Sequence, residues 1–83
     1  MTRGEEVKVL TDYDLFGNSV KDEKAIFIKK DNNTNKCLLY FPDFAEWGEL
    51  PEGDLLQVNP GHISEESADF VSRIQTMKVT FEV

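Results

Sequence analysis

The sequence predicts a mainly β fold: short antiparallel strands curled into a small barrel, with one C-terminal helix and a final strand. Three observations carry this reading. Apolar and polar residues alternate with period two in several stretches, the pattern of half-buried strands. Turn-forming clusters separate those stretches: Gly17-Asn18-Ser19, Asp31 to Asn35, and Asn59 to Gly61. A single stretch after Ile63 has helical spacing instead. Curling a twisted sheet buries one face of each strand and removes exposed edges, so a barrel is the economical arrangement.

The elements follow in order. Residues 1–6 are polar and are expected to fray. Val7 to Tyr13 reads as a strand, with Val7, Val9 and Thr11 on one face and Lys8, Leu10 and Asp12 on the other. After a turn at Gly17-Asn18-Ser19, "EKAIFIKK" reads as the next strand. It places Ala25, Phe27 and Lys29 opposite Ile26 and Ile28. "DNNTN" is a hairpin loop, and Lys36 to Phe41 returns until Pro42 ends the ladder. "EWGEL" reads as a short strand with Trp47 and Glu49 on one side and Gly48 and Leu50 on the other. "PEGD" reads as a tight turn or one turn of 3₁₀ helix, and "LLQV" as another strand. A helix is expected over residues 62–77. Ser64 caps it, Glu65 and Glu66 complement the dipole in the first turn, and Ile63 is placed to staple onto Ala68. Ile63, Ser67, Phe70, Val71, Ile74 and Met77 share one of its faces. Residues 78–83 alternate again and read as a strand that closes the barrel of residues 7–58.

At 83 residues the chain is expected to form one domain, residues 1–83. Hydrophobic residues make up 40% of it and aromatic residues 11%, enough for a folded core. Nine basic against sixteen acidic residues give a net charge of −7. That argues against nucleic acid and anionic membrane surfaces as partners, because phosphates are bound by lysine and arginine. It suits a basic protein partner, or serves solubility alone. No stretch approaches the roughly 18 apolar residues of a membrane helix. The lone Cys37 has no internal disulfide partner, and the first residues turn charged at once, without the apolar run of a signal peptide. A reducing, cytoplasmic setting is expected.

"GELPEGDLLQV" resembles the segment of Src-homology-3 domains in which a strand ends in Gly-x-apolar-Pro, makes a 3₁₀ turn and enters the last strand. Gly48, Leu50, Pro51 and Leu55 match that pattern in order. Upstream, "VLTDY" is similar to the Ala-Leu-Tyr-Asp-Tyr signature at the end of the family's first strand. An acidic loop and a hairpin follow in both. The resemblance spans about residues 7–58 and implies a small Src-homology-3-like barrel. It also implies an aromatic groove for a polyproline II ligand, with Tyr13 as one of its walls. The chain departs from that groove at several points. Thr11 stands where the family has an aromatic residue, and Asp54 where it has the tyrosine after the 3₁₀ turn. Gly53 replaces the preceding asparagine, and Trp47 adjoins the Gly-x-x-Pro segment instead of preceding it by many residues. Residues 59–83 have no counterpart.

The candidate binding residues are Tyr13 and Trp47 with the acids around them: Asp12, Asp14, Glu46, Glu49 and Asp54, and Pro51. A half-exposed tryptophan beside carboxylates suits an arginine, which stacks on the ring while the acids pair its charge. Trp47 serves equally as a core anchor, since a small core needs large side chains. The expected function is a non-catalytic protein-interaction module for a basic or proline-containing segment. An acidic regulator mimicking nucleic acid, or a small structural subunit of a larger complex, is the alternative. No cofactor or metal is implied. Asp31 to Asn35 opens like a calcium loop, but Lys36 and Pro42 stand where that loop needs glycine and glutamate. His62 and Cys37 are too few for zinc. No arrangement of nucleophile and base points to an enzyme, and a barrel this small leaves little room for a pocket of the ~300 Å³ typical of small-molecule sites.

Overall fold

In a computed structural model, residues 1–76 of the chain are described. They form β1 (Glu6–Val9), β2 (Asp14–Leu15), β3 (Asn18–Ser19), β4 (Lys24–Asp31), β5 (Lys36–Phe41) and β6 (Glu46–Pro51). A 3₁₀ turn (Glu52–Asp54), β7 (Leu55–Gln57) and α1 (Glu65–Thr76) complete them. Five strands make one antiparallel sheet in the order β6-β5-β4-β1-β7, and β2 and β3 pair as a separate small hairpin. β6 and β7 stand at the two ends of the sheet and do not pair with each other. The described strands are therefore an open sheet where a closed barrel was expected.

Alternation along each strand sends successive side chains to opposite faces, and both faces are buried. Val7, Val9, Ala25, Phe27, Leu39, Phe41 and Leu50 build the first core, joined by Val20 and Cys37. Tyr13, Leu15, Phe16, Phe44 and Leu55 pack around it. Ile26 and Ile28 on the opposite face build a second core with Leu38, Tyr40 and Trp47, and α1 covers it with Phe70, Val71 and Ile74.

The hairpin β4–β5 forms as the sequence predicts. Asn35 takes a left-handed φ of 61° and its N–H donates to the Asp31 carbonyl, while Asp31 Oδ1 accepts from Asn33 N at 2.9 Å. The capping residue of α1 is also as expected, with Ser64 Oγ accepting from Ser67 N at 3.1 Å.

Four expectations are corrected. The first strand ends at Val9, not Tyr13, because Leu10 N donates to the Asp54 carbonyl and the chain then leaves the ladder. The turn in the next connection is Phe16-Gly17, at φ 55° and 78°, the positive-φ pair a two-residue hairpin requires. Phe16 holds this conformation while packed edge-on to Phe41, at 5.4 Å between centroids. A bulge at Ile28 pairs Lys29 with Leu38 and Lys30 with Cys37, so Lys29 leaves the face it was assigned with Ala25 and Phe27. Residues 1–6 are tied down instead of frayed. Gly4 N donates to the Phe27 carbonyl at 2.7 Å, and Glu5 is only 3% exposed. The expected closing strand over 78–83 lies outside the described residues, as does Met77 of the predicted helix face.

Candidate functional site

The 3₁₀ turn between β6 and β7 is fixed from two sides. Lys30 Nζ of β4 meets Glu52 Oε1 at 2.7 Å. This hydrogen bond, with the charge attraction it carries, raises the Lys30 pKa and lowers that of Glu52. From the other side Asp54 accepts the Tyr13 hydroxyl at Oδ2, 2.6 Å, and the Thr11 hydroxyl at Oδ1, 2.9 Å. The hydrogen bond to Asp54, helped by burial and by the carboxylate charge, raises the Tyr13 pKa above its ordinary value.

Thr11 and Asp54, 43 positions apart in the chain, thus meet through a direct side-chain hydrogen bond.

Asp12 and Asp14 flank Tyr13 and are exposed. Asp12 accepts a short hydrogen bond from Ser19 Oγ across the β2–β3 hairpin, whose ladder pairs Asp14 with Ser19. Pro51, half-buried, enters the 3₁₀ turn in an extended conformation with φ −61° and ψ 142°. Tyr13, Asp12, Asp14, Pro51 and Asp54 thus belong to one region, built from the β1–β4 connection and the 3₁₀ turn.

The other predicted site residues lie elsewhere. Trp47 packs on the opposite face of the sheet, with its ring 5.2 Å from Tyr40 and 5.8 Å from Phe70, while Tyr40 stacks on Phe70 at 4.3 Å. Tyr13 and Trp47 are packed against different cores and do not form one aromatic face. Glu49 shares the Trp47 side of β6 and borders a shallow depression of about 70 Å³ with Lys29, Asp31, Lys36 and Leu38. Glu46, exposed, opens β6 opposite Phe41.

Against the expectation of little room for a pocket, a solvent-open hollow of about 300 Å³ lies over β1. It is lined by Glu6, Val7, Lys8, Asp22, Lys24 and Val58. Its charges are two carboxylates and two ammonium groups, with Lys8 and Asp22 paired at 3.6 Å, and the lining has no hydroxyl, thiol or imidazole. Cys37 is fully buried, and burial pushes its thiol pKa up, away from the reactive thiolate. Among the described residues no group of three or more His, Cys, Asp or Glu is placed to hold a metal ion, and no helix is long and apolar enough to cross a membrane.

Because its hydrogen bond to Asp54 favours the neutral phenol, Tyr13 contributes stability below the ordinary tyrosine pKa. That contribution is lost as pH rises through the raised folded value. Asp54→Ala removes the acceptor. Its expected result is a Tyr13 pKa lower than in the parent chain, read by ultraviolet absorbance titration against a Tyr13→Phe control.

No protein-family model matches the chain, and no curated protein or solved structure is significantly similar to it.

Proposed function

We propose that the chain is a non-catalytic protein-interaction module on a Src-homology-3-like sheet, binding a basic or proline-containing segment at the face around Tyr13. The fold reading draws support from the sheet order β7-β1-β4-β5-β6, the small hairpin within the β1–β4 connection, and the 3₁₀ turn before β7. One observation carries the functional reading: Asp54 anchors both Thr11 and Tyr13. That bond pair holds an acidic connection against the 3₁₀ turn, so Asp12 and Asp14 project beside a partly exposed aromatic ring. Fixed carboxylates around a ring steer and orient a cationic side chain, while the ring supplies contact area. Trp47, Glu46 and Glu49 fall outside this face. A partner in a reducing, cytoplasmic setting suits the single buried cysteine.

The probe is an arginine- and proline-containing decapeptide, titrated by calorimetry. Binding to the parent chain is expected, weakened about tenfold or more in the Asp12→Lys/Asp14→Lys variant, where like positive charge now meets the peptide. Both side chains are exposed, so the fold should survive the change. Absence of binding, or equal affinity in the variant, would overturn the assignment.

A further inference from the structure

The face of the sheet that α1 covers does not end where the helix does. α1 lays Phe70, Val71 and Ile74 over Ile26, Ile28, Leu38, Tyr40 and Trp47 of β4, β5 and β6. Glu6 of β1 pairs with Ile26, and Lys8 pairs with Leu56 of β7, so the same face continues across β1 to β7. There Leu10, Leu56 and Val58 are 45%, 49% and 50% exposed. β7 is also an end of the sheet. Its ladder to β1 uses alternate residues. The Asp54 carbonyl accepts from Leu10 N at 2.8 Å, Val58 N donates to the Glu6 carbonyl at 3.2 Å, and Leu56 stands opposite Lys8 between them. The backbone groups of the residues in between point away from β1. They are the Leu55 carbonyl, the N–H and carbonyl of Gln57, and the Asn59 N–H. Among the described residues no strand pairs with them.

We propose that β7 is the edge at which a second copy of this chain extends the sheet, antiparallel and about a two-fold axis at Gln57. The outward groups are self-complementary about that residue. Gln57 of each copy exchanges both backbone hydrogen bonds with Gln57 of the other, and the Leu55 carbonyl of one copy faces the Asn59 N–H of the other. Leu56 of each copy then stands beside Val58 of the other, so the half-exposed apolar side chains cover one another. Charge selects a second copy over a partner of other chemistry. β7 carries no charged residue. The groups beside it are Glu6, Lys8, Asp22 and Lys24, two of each sign, although the chain as a whole carries −7. A balanced surface offers a basic or acidic partner no net charge to meet, and it sets no repulsion between two copies. The other end of the sheet is unlike it. Two copies meeting at β6 would set Glu46 and Glu49 against further carboxylates, a device that keeps an edge unpaired. The β7 patch is small, so the dimer belongs to the weak class of association.

Sedimentation equilibrium from about 10 µM to about 1 mM should show the parent chain passing from monomer to dimer. Leu56→Glu and Val58→Lys should each weaken the dimer about tenfold or more. Residues 56 and 58 lie opposite Lys8 and Glu6, so each new charge has a partner within its own sheet and the fold should survive. Mixing the two variants should restore association. The new carboxylate of one chain then meets the new ammonium of the other, while Val58 of the first still meets Leu56 of the second. A parent chain monomeric throughout that range, a dimer unchanged by Leu56→Glu, or a mixture no tighter than either variant alone would overturn the proposal. Amide exchange in the parent chain needs no substitution. The Gln57 N–H should gain protection as concentration rises, with the Val58 N–H, bonded to β1, as the internal reference. Protection at Gln57 that is the same at every concentration would mean that a segment of the same chain covers the edge or that nothing does, and would overturn the proposal.

Discussion

Phe41→Ala is expected to lose about 3–5 kcal/mol of folding stability, the range for removing a large aromatic from a core. At about 0.05–0.15 kcal/mol per residue, a domain of this size holds roughly 4–12 kcal/mol in all, so the variant should be unfolded or close to it. The physical reason is the position of the ring. Phe41 is fully buried at the end of β5, edge-on to Phe16. A Cβ on Gly48 of the neighbouring strand would stand 3.1 Å from its Cε1, so Gly48 leaves room for the ring. Little can move in to fill the cavity, because Phe16 is held by its own two-residue turn at positive φ. Urea denaturation followed by far-ultraviolet dichroism measures the loss. A midpoint close to that of the parent chain would mean that the first core is not organised around this ring.

Trp47→Ala is expected to cost about 2–4 kcal/mol, toward the lower part of the range for tryptophan because the ring is only half-buried. The same variant is expected to bind the arginine- and proline-containing decapeptide with unchanged affinity. The two results together separate the roles open to this residue. A ring between Tyr40 and Phe70 supports the second core, and Tyr13 with its carboxylates lies against the other core. A marked loss of affinity at intact stability would return Trp47 to the binding face.

The helix end shows how local rules suffice where an element depends on its own neighbours. Ser64, followed by Glu65 and Glu66, starts α1 where a capping residue and first-turn acids place it. The hairpin at Asp31 to Asn35 works the same way, since Asx and left-handed Asn geometry belong to the loop itself. The small β2–β3 hairpin was less legible. Phe16, a bulky aromatic, is an unusual residue at positive φ, and packing against Phe41 and Phe44 accompanies it there.

The candidate site was legible by residue type and not by assembly. Tyr13 and Asp54 lie 41 positions apart, and their hydrogen bond depends on β7 returning beside β1. Glu5 reads as one more acid among the first polar residues, and only the tertiary structure, with its hydrogen bonds from Thr2 and Gln57, makes it a buried carboxylate. The bulge at Ile28 is likewise silent in the alternation, because one extra residue in a run of apolar neighbours leaves no mark on the pattern.

Read alone, the chain of residues determined that the described part is mainly β with one helix, where the β4–β5 loop falls and where α1 is capped, but not where β1 ends, where the β2–β3 turn sits or which side of β4 Lys29 takes. Only the tertiary structure decided that the described strands form an open sheet, that α1 rather than solvent meets the Trp47 face, and that Tyr13 is joined to Asp54. The reason is that alternation encodes a difference between two faces, whereas what covers each face is set by contacts between segments distant along the chain.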